Sequence, residues 1–437
     1  MKRIIRIGLL TVVLAAGLVR PASAQDAVTT GQRGDVLVGF LQTARDNNPE
    51  IKAAYNDWKA AEFRVPQSSA LPDPTAGTAV MGRMLETRLG PQEEVYEFEQ
   101  MIPFPGKLIQ KRKMARAEVM AAEARYKMAE REVAAKVTQA YADLAALDYT
   151  LQVTEEVYEL LRKFESAAQA RYASQQGEQR DVAKAQVEVS EALKQLLTIR
   201  QQREILVSLL NALLNRDPKT LVEHLALPVR PQLAHSLDDL IVLSKSNRPE
   251  ILEAEAMKDR EIHAKALAGM ENAPDFTVGF QYSRIGEGMT SDPEDGRDAW
   301  MIPLKVTIPL WRNRINAATR EARENLRANE ARLALNGNLA DYEIKNAYYQ
   351  LTASLQVVDL YETALLPQAE LAFRSDQAGY ESGRTDVLNL IDSERSYLNA
   401  RMAYAQALAD SVKNLAAIER AVGVDLSTQG GKSDVEK

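Results

Sequence analysis

The chain has no cysteine, so neither a disulfide framework nor a thiolate metal site is open to it, and a lipid anchor on an N-terminal cysteine is not expected. Histidine is scarce: His224, His235 and His263 are the only three, none within helical reach of another, so an imidazole metal cluster is unsupported. Basic charge is not in excess, because 54 Lys and Arg face 61 Asp and Glu for a net charge of −7, and nothing in that balance attracts nucleic acid. Long hydrophobic runs are missing too. The one apolar stretch, Ile7 to Val19, is shorter than the roughly twenty residues a spanning helix needs. If the chain enters a membrane, it does so as strands. There is no nucleophile elbow, no phosphate-cradling glycine loop and no pair of acids at a strand end, so neither catalysis nor a cofactor is expected.

Lys2, Arg3 and Arg6 before the apolar stretch, with Ala22-Ser23-Ala24 after it, have the form of a secretory signal over residues 1–24. Its removal takes four basic residues and no acid, lowering the net charge from −7 to −11.

The rest of the chain says nearly the same thing twice. Asn48-Pro49-Glu50-Ile51 returns as Arg248-Pro249-Glu250-Ile251. Each half then runs through alternating strands and a proline into a long helical pattern, and duplication on this scale points to a symmetric assembly. The repeats are placed at 25–215 (strands about 75–102, long helices about 107–214) and 236–423 (strands about 274–308, long helices about 314–422). A proline-marked linker, 216–235, joins them, and 424–437 reads as a polar, disordered tail. One amphipathic helix is expected from Gly34 to about Pro66, ended by Pro66, Pro72 and Pro74.

In the strands, Tyr96, Phe98 and Ile102 alternate with Glu97 and Glu99. Phe276, Val278, Phe280 and Tyr282 alternate with Thr277, Gly279, Gln281 and Ser283, and a single strand from Trp300 to Ile308 places Trp300, Ile302 and Leu304 on one face. Apolar-out and polar-in over about ten residues is the pattern of a membrane barrel strand. A half-buried strand of a soluble sheet gives the same alternation, but three such segments in an otherwise helical exported chain favour the barrel. Asp292, Glu294, Asp295 and Gly296 lack the ligand spacing of a calcium loop and read as an exposed hairpin loop. No Pro or Gly interrupts Lys107 to Gln176, which at about 1.5 Å per residue makes a rod of roughly 100 Å. The second rod matches, with a kink expected at Pro367. Four strands cannot close around a lumen and a thin rod has no core of its own, so several copies must share one barrel and one tube.

Asn48-Pro49-Glu50-Ile51, Ala70-Leu71-Pro72-Asp73-Pro74, Phe104-Pro105-Gly106-Lys107 and Gly379-Tyr380-Glu381-Ser382-Gly383 with Asp386-Val387-Leu388 resemble, in this order and spacing, the TolC-like outer membrane efflux proteins and their heavy-metal and copper branch. The resemblance implies a mainly α fold with a small β part: a homotrimer with a twelve-stranded barrel in outer membrane lipid and a helical tunnel across the periplasm. It also implies docking through a periplasmic adaptor (membrane fusion) protein onto an inner-membrane pump of RND type. The family's adaptor contacts fall at the two helix-turn-helix tips, matched here by Tyr172, Gly177 and Asp181 and by Tyr380, Gly383, Thr385 and Asp386. Both glycines also serve as plain helix-ending residues. Asp386, Asn389 and Asp392 share a helix face where the family narrows its periplasmic end; an ordinary solvated face is the alternative. Met81, Met84, Met101 and Met301 read as packing rather than a metal relay. A periplasmic coiled-coil scaffold, or the duct of a type I protein exporter, remains open as a rival reading, and the cargo is not legible.

Overall fold

The computed structural model describes residues 27–288, 293–382, 384–385 and 387–426. Along the first half come α1 (Ala27–Asn47), α2 (Pro49–Ser68), β1 (Thr75–Thr87), β2 (Gly90–Ile102), α3 (Pro105–Ala173) and α4 (Gln179–Leu213). The second half repeats them as α5 (Leu237–Asn247), α6 (Pro249–Met270), β3 (Asp275–Ile285), β4 (Ala299–Met301), β5 (Leu304–Thr307), α7 (Arg312–Leu360), α8 (Leu366–Glu381) and α9 (Val387–Val422). The signal segment and the chain from 427 onward lie outside the described residues.

The repeated Pro-Glu-Ile opens equivalent helices. Asn48 caps α2: its carbonyl oxygen accepts the Glu50 N–H at 2.8 Å, its amide donates to the Leu213 carbonyl at 2.8 Å, and Pro49 starts the helix where no N–H is needed. The expected single helix to Pro66 is therefore two helices. Pro66 does not end the second, which runs on to Ser68. The stop is made by Pro72 and Pro74, which hold the chain extended into β1. At Pro367 the rod yields by one π-helical turn, Tyr361–Leu365, and the proline then occupies the first turn of α8, where its missing N–H costs nothing.

The 69-residue α3 is the axis, about 100 Å long at about 1.5 Å per residue. Near the sheet α2 and α6 flank it; toward the far end α4 and α9 do, with α7 and α8 packed beyond α9. The core is accordingly a seam rather than a ball. Val133, Val137 and Leu144 of α3 meet Val207 and Leu210 of α4 in one cluster, and Leu161 and Phe164 join Leu390 and Ile391 of α9 in another. Between α3 and α9 a further contact is made by Ala142, Ala146, Ala405 and Ala409, residues small enough to let two backbones close up. Residues 424–426, assigned to a disordered tail from the sequence, still belong to the fold. Leu426 is buried in the cluster of Leu240 and Ile418, and its N–H donates to the Glu419 carboxylate at 2.9 Å.

The linker has no regular structure but is pinned to α3. Asp148, buried, accepts from Arg203 Nε at 2.6 Å and from the Leu225 N–H at 2.8 Å, and lies 3.0 Å from His224 Nδ1. Arg203 donates onward to the Val222 carbonyl at 2.9 Å. Every oxygen of this buried acid is used, which is what makes its burial tolerable.

Candidate functional site

The sheet is antiparallel in the order β1-β2-β3, with β4 and β5 both pairing to β3. Its register sets Tyr96 opposite Tyr282 and Phe98 opposite Phe280. It also sets Tyr282 opposite Trp300, Val278 opposite Leu304, and Phe276 opposite both Ile102 and Val306, so these residues of β2 to β5 share one face. The expected single strand from Trp300 to Ile308 is split because Pro303 has no N–H to give the ladder. The register passes through the split unchanged, with Gly279 donating to the Pro303 carbonyl at 2.9 Å, so Ile302 keeps its place on the apolar face. Gly279 must be glycine there, since a Cβ would come within 2.9 Å of the Pro303 ring.

That face is bare. Phe98 is 49%, Phe280 47% and Trp300 67% exposed, and Tyr96, Leu304 and Ile302 are exposed as well. A half-buried strand of a soluble sheet would turn such a face onto protein; here no element among the described residues covers it. Rings line up along it, with Phe280 and Trp300 stacked at 6.4 Å and Tyr96 and Tyr282 at 6.5 Å. From Trp300 to Ile308 the band is about 26 Å long at about 3.3 Å per residue, before any tilt, close to the apolar height of a membrane barrel. At its outer limit Glu94 pairs with Arg284 at 3.3 Å. The opposite face carries Glu97, Glu99, Gln281 and Lys305, with Lys305 hydrogen-bonded to Glu99. Met101 and Met301 share this polar face and do not fill a core. In the outer loop, Asp292 lies outside the described residues. Glu294 pairs with Arg88 and Arg297, and Asp295 accepts the Gly288 N–H.

The Phe-Pro-Gly-Lys segment is the joint between sheet and rod. Asp275, the first residue of β3, accepts the Phe104 N–H at 2.8 Å and the Lys107 ammonium at 3.0 Å on both oxygens. Lys107 is buried and also donates to the Ala273 carbonyl at 3.2 Å. Gly106 lets Met270 approach, because a Cβ would meet its sulfur at 2.8 Å. One short motif thereby fastens the first rod to the second half's strand.

At the far end the two hairpin tips are tied together. The Arg171 guanidinium lies 4.5 Å over the Tyr380 ring and donates to the Tyr380 carbonyl at 3.2 Å. Tyr380 is buried against Phe164, whereas Tyr172 is exposed. In the first tip the left-handed residue is Gln175, at φ +58°, not Gly177; Gly177 instead allows a close pass by the Arg171 side chain. Asp181 falls in the first turn of α4, where the free N–H groups favour an acid. In the second tip, Thr385 and Arg384 both donate to the Gly379 carbonyl, and Thr385 Oγ1 occupies the space a Cβ on Gly379 would need. Gly383 and Asp386 lie outside the described residues. Asn389 and Asp392 are exposed on one side of α9 while Leu390, Ile391 and Glu394 are buried on the other.

Acids on the rods bridge neighbouring helices: Glu155 pairs with Arg200 at 2.9 Å, Glu156 with Arg401 at 2.7 Å and Glu188 with Arg395 at 2.7 Å. Glu394, buried on α9, is not among the residues the sequence pointed to. Its only sequence signal is its phase, since it continues the buried side set by Leu390 and Ile391.

Known proteins share this architecture. The cobalt-zinc-cadmium resistance protein CzcC of Cupriavidus metallidurans is 24% identical over 400 residues, spanning 89% of this chain and 90% of its own. The outer membrane protein VceC of Vibrio cholerae superposes with a TM-score of 0.75 at 19% identity over 91% of this chain and 98% of its own. The CmeC outer membrane channel of Campylobacter jejuni gives 0.75 at 15% identity, over 89% and 85%, and CusC gives 0.72 at 16%, over 89% and 92%. Residues 40–216 and 240–424 each match the outer membrane efflux protein family, one match per repeat, and the chain belongs to that family: it is an outer membrane efflux channel, a passive duct and not an enzyme.

Proposed function

We propose that three copies close head to tail into one conduit that receives its cargo from an inner-membrane RND-type pump through a periplasmic adaptor. The observation that carries this is a matched pair of unfinished edges. In the sheet, β1 and the β4/β5 strand each have one side without a partner among the described residues. In the rods, α4 ends one side and α7 with α8 the other, and both edges carry uncovered apolar side chains. Leu193, Leu197, Ile205 and Leu209 are exposed on α4; Leu335, Leu339, Tyr342 and Tyr349 are exposed on α7. Joining unlike edges generates a ring when the rotation closes. Two copies would give about eight strands, which side chains fill, so three is the smallest number that leaves a lumen.

The tips are the surface offered to the adaptor, through Tyr172, Gly177 and Asp181 in one and Gly383, Thr385 and Asp386 in the other, with Tyr380 holding the two together from beneath. Asp386, Asn389 and Asp392 are assigned to the narrow end of the tunnel. The likeness to a cobalt-zinc-cadmium resistance protein of Cupriavidus metallidurans supports transition-metal cations as the cargo class. Nothing in a duct of this kind needs to bind them tightly.

The purified mature protein is expected to run as a heat-modifiable oligomer in detergent and to form pores in planar bilayers; a monomer stable in plain buffer would overturn the reading. Asp392→Ala is expected to lower cation selectivity, conductance and antibiotic leakage in cells several-fold, because removing one ring of mutually repelling, cation-selecting carboxylates favours the closed end and draws cations less well through the open one. Unchanged conductance and leakage would remove Asp392 from the gate.

A further inference from the structure

Glu394 is a titratable group that neither the wall nor the tips use. It lies on α9 two residues beyond Asp392, is only 2% exposed, and its Oε1 has no hydrogen-bond partner. A buried carboxylate without a partner is costly, and such a group keeps its proton instead. The cleft around it runs over α3 between α4 and α9. From α3 come Val157 and Leu161, which are apolar; from α4 come Glu188, Glu191 and Lys194; from α9 comes Arg395.

The nearby cations are already engaged. Arg395 donates to both oxygens of Glu188 at 2.7 Å, and Lys194 pairs with Glu191 at 3.1 Å. What Glu394 faces is a low-dielectric seam with the negative charge of Glu188 at its rim. Burial first, and then Glu188, push its carboxyl up to about 8, with Arg395 opposing in part.

We propose that Glu394 is a proton-operated latch on the periplasmic end: protonated, it lets α9 seal against α3 and α4; ionised, it loosens that seam and frees the tip to open. The location supplies the leverage. Leu390 and Ile391, on the same turns as Asn389 and Asp392, seal against Leu161 and Phe164, so a charge forced into this seam acts on the helix that carries the gate. The proposal rests on the channel reading above.

The direction follows from where the proton is held. The sealed seam keeps it to about pH 8, whereas a glutamate released to water loses it near 4.5. The sealed form is therefore favoured at low pH, and its advantage falls steadily as pH rises from 4.5 to 8 and no further above that.

The test uses the full-length mature protein in planar bilayers from pH 4 to 9, with tip separation read from spin labels on Ser382→Cys, which no native cysteine complicates. Between pH 6 and 8 the open-to-closed ratio is expected to rise at least about tenfold, on a slope of up to about tenfold per pH unit for each proton released. Glu394→Gln, or Glu394→Met should the amide fail to assemble, is expected to hold the ratio flat. A flat wild-type profile, a midpoint in the ordinary carboxylate range of about 4 to 5, or the same rise in Glu394→Gln overturns the latch. Failure to form pores at any pH strikes the channel reading instead, so the two failures are distinguishable.

Discussion

Phe280→Arg is expected to abolish the heat-modifiable oligomer in the outer membrane, while Gln281→Arg, one residue along, leaves it intact. Phe280 lies opposite Phe98 and stacks on Trp300 in the middle of the bare band. A guanidinium at that depth in hydrocarbon costs about 2–4 kcal/mol in each copy, and the variant also forfeits the ring contact. Gln281 is on the other face, between Glu97 and Met301, where an arginine meets water and carboxylates. Semi-native electrophoresis of outer membrane fractions reads both variants. If Gln281→Arg is the one that fails, the sheet's two faces have been assigned in reverse.

Lys107→Ala is expected to be nearly as severe although it touches neither lipid nor lumen. Removing the ammonium leaves Asp275 at a covered site without its charge partner, and breaking a buried pair from one side typically costs about 3–5 kcal/mol. Because Asp275 also receives the Phe104 N–H, the damage reaches the turn from strand to rod. The double variant Lys107→Met with Asp275→Asn removes both charges and keeps one acceptor for that N–H, and it should recover most of the oligomer. Thermal dissociation of the wild type, Lys107→Met, Asp275→Asn and the double variant in a double-mutant cycle measures the coupling. A coupling near zero would show that the joint is held by packing alone, through Gly106 and Met270.

Much of this was legible in the sequence, for identifiable reasons. The strands announced themselves because a bilayer face demands strict alternation, and Phe276, Val278, Phe280 and Tyr282 obey it without exception. The rods were legible because Pro and Gly are absent over seventy residues of α3 and its continuation, so nothing local competes with the helix. Local signals misled where tertiary contacts overrode them. Pro66 looks like a helix stop but lies in a last turn that survives it, and Gly177 looks like the left-handed residue although Gln175 takes that role. Pro303 divided a strand whose register nonetheless continues. Long-range pairs such as Lys107 with Asp275 left no trace at all, because partners so far apart share no periodicity. The docking tips and the acidic face of α9 came from resemblance to a family, and only their exposure or burial can be read from the protomer.

The central ladder of the sheet has a consequence for biogenesis. It pairs β2 with β3, so its partners come from opposite halves of the polypeptide. While the chain is being exported, the β1–β2 hairpin waits with a naked edge until the second repeat has also crossed the inner membrane. Contacts of such long range form slowly compared with local helices, and an edge left open that long recruits whatever strand it meets. Passage through the periplasm is thus a race between correct closure and aggregation.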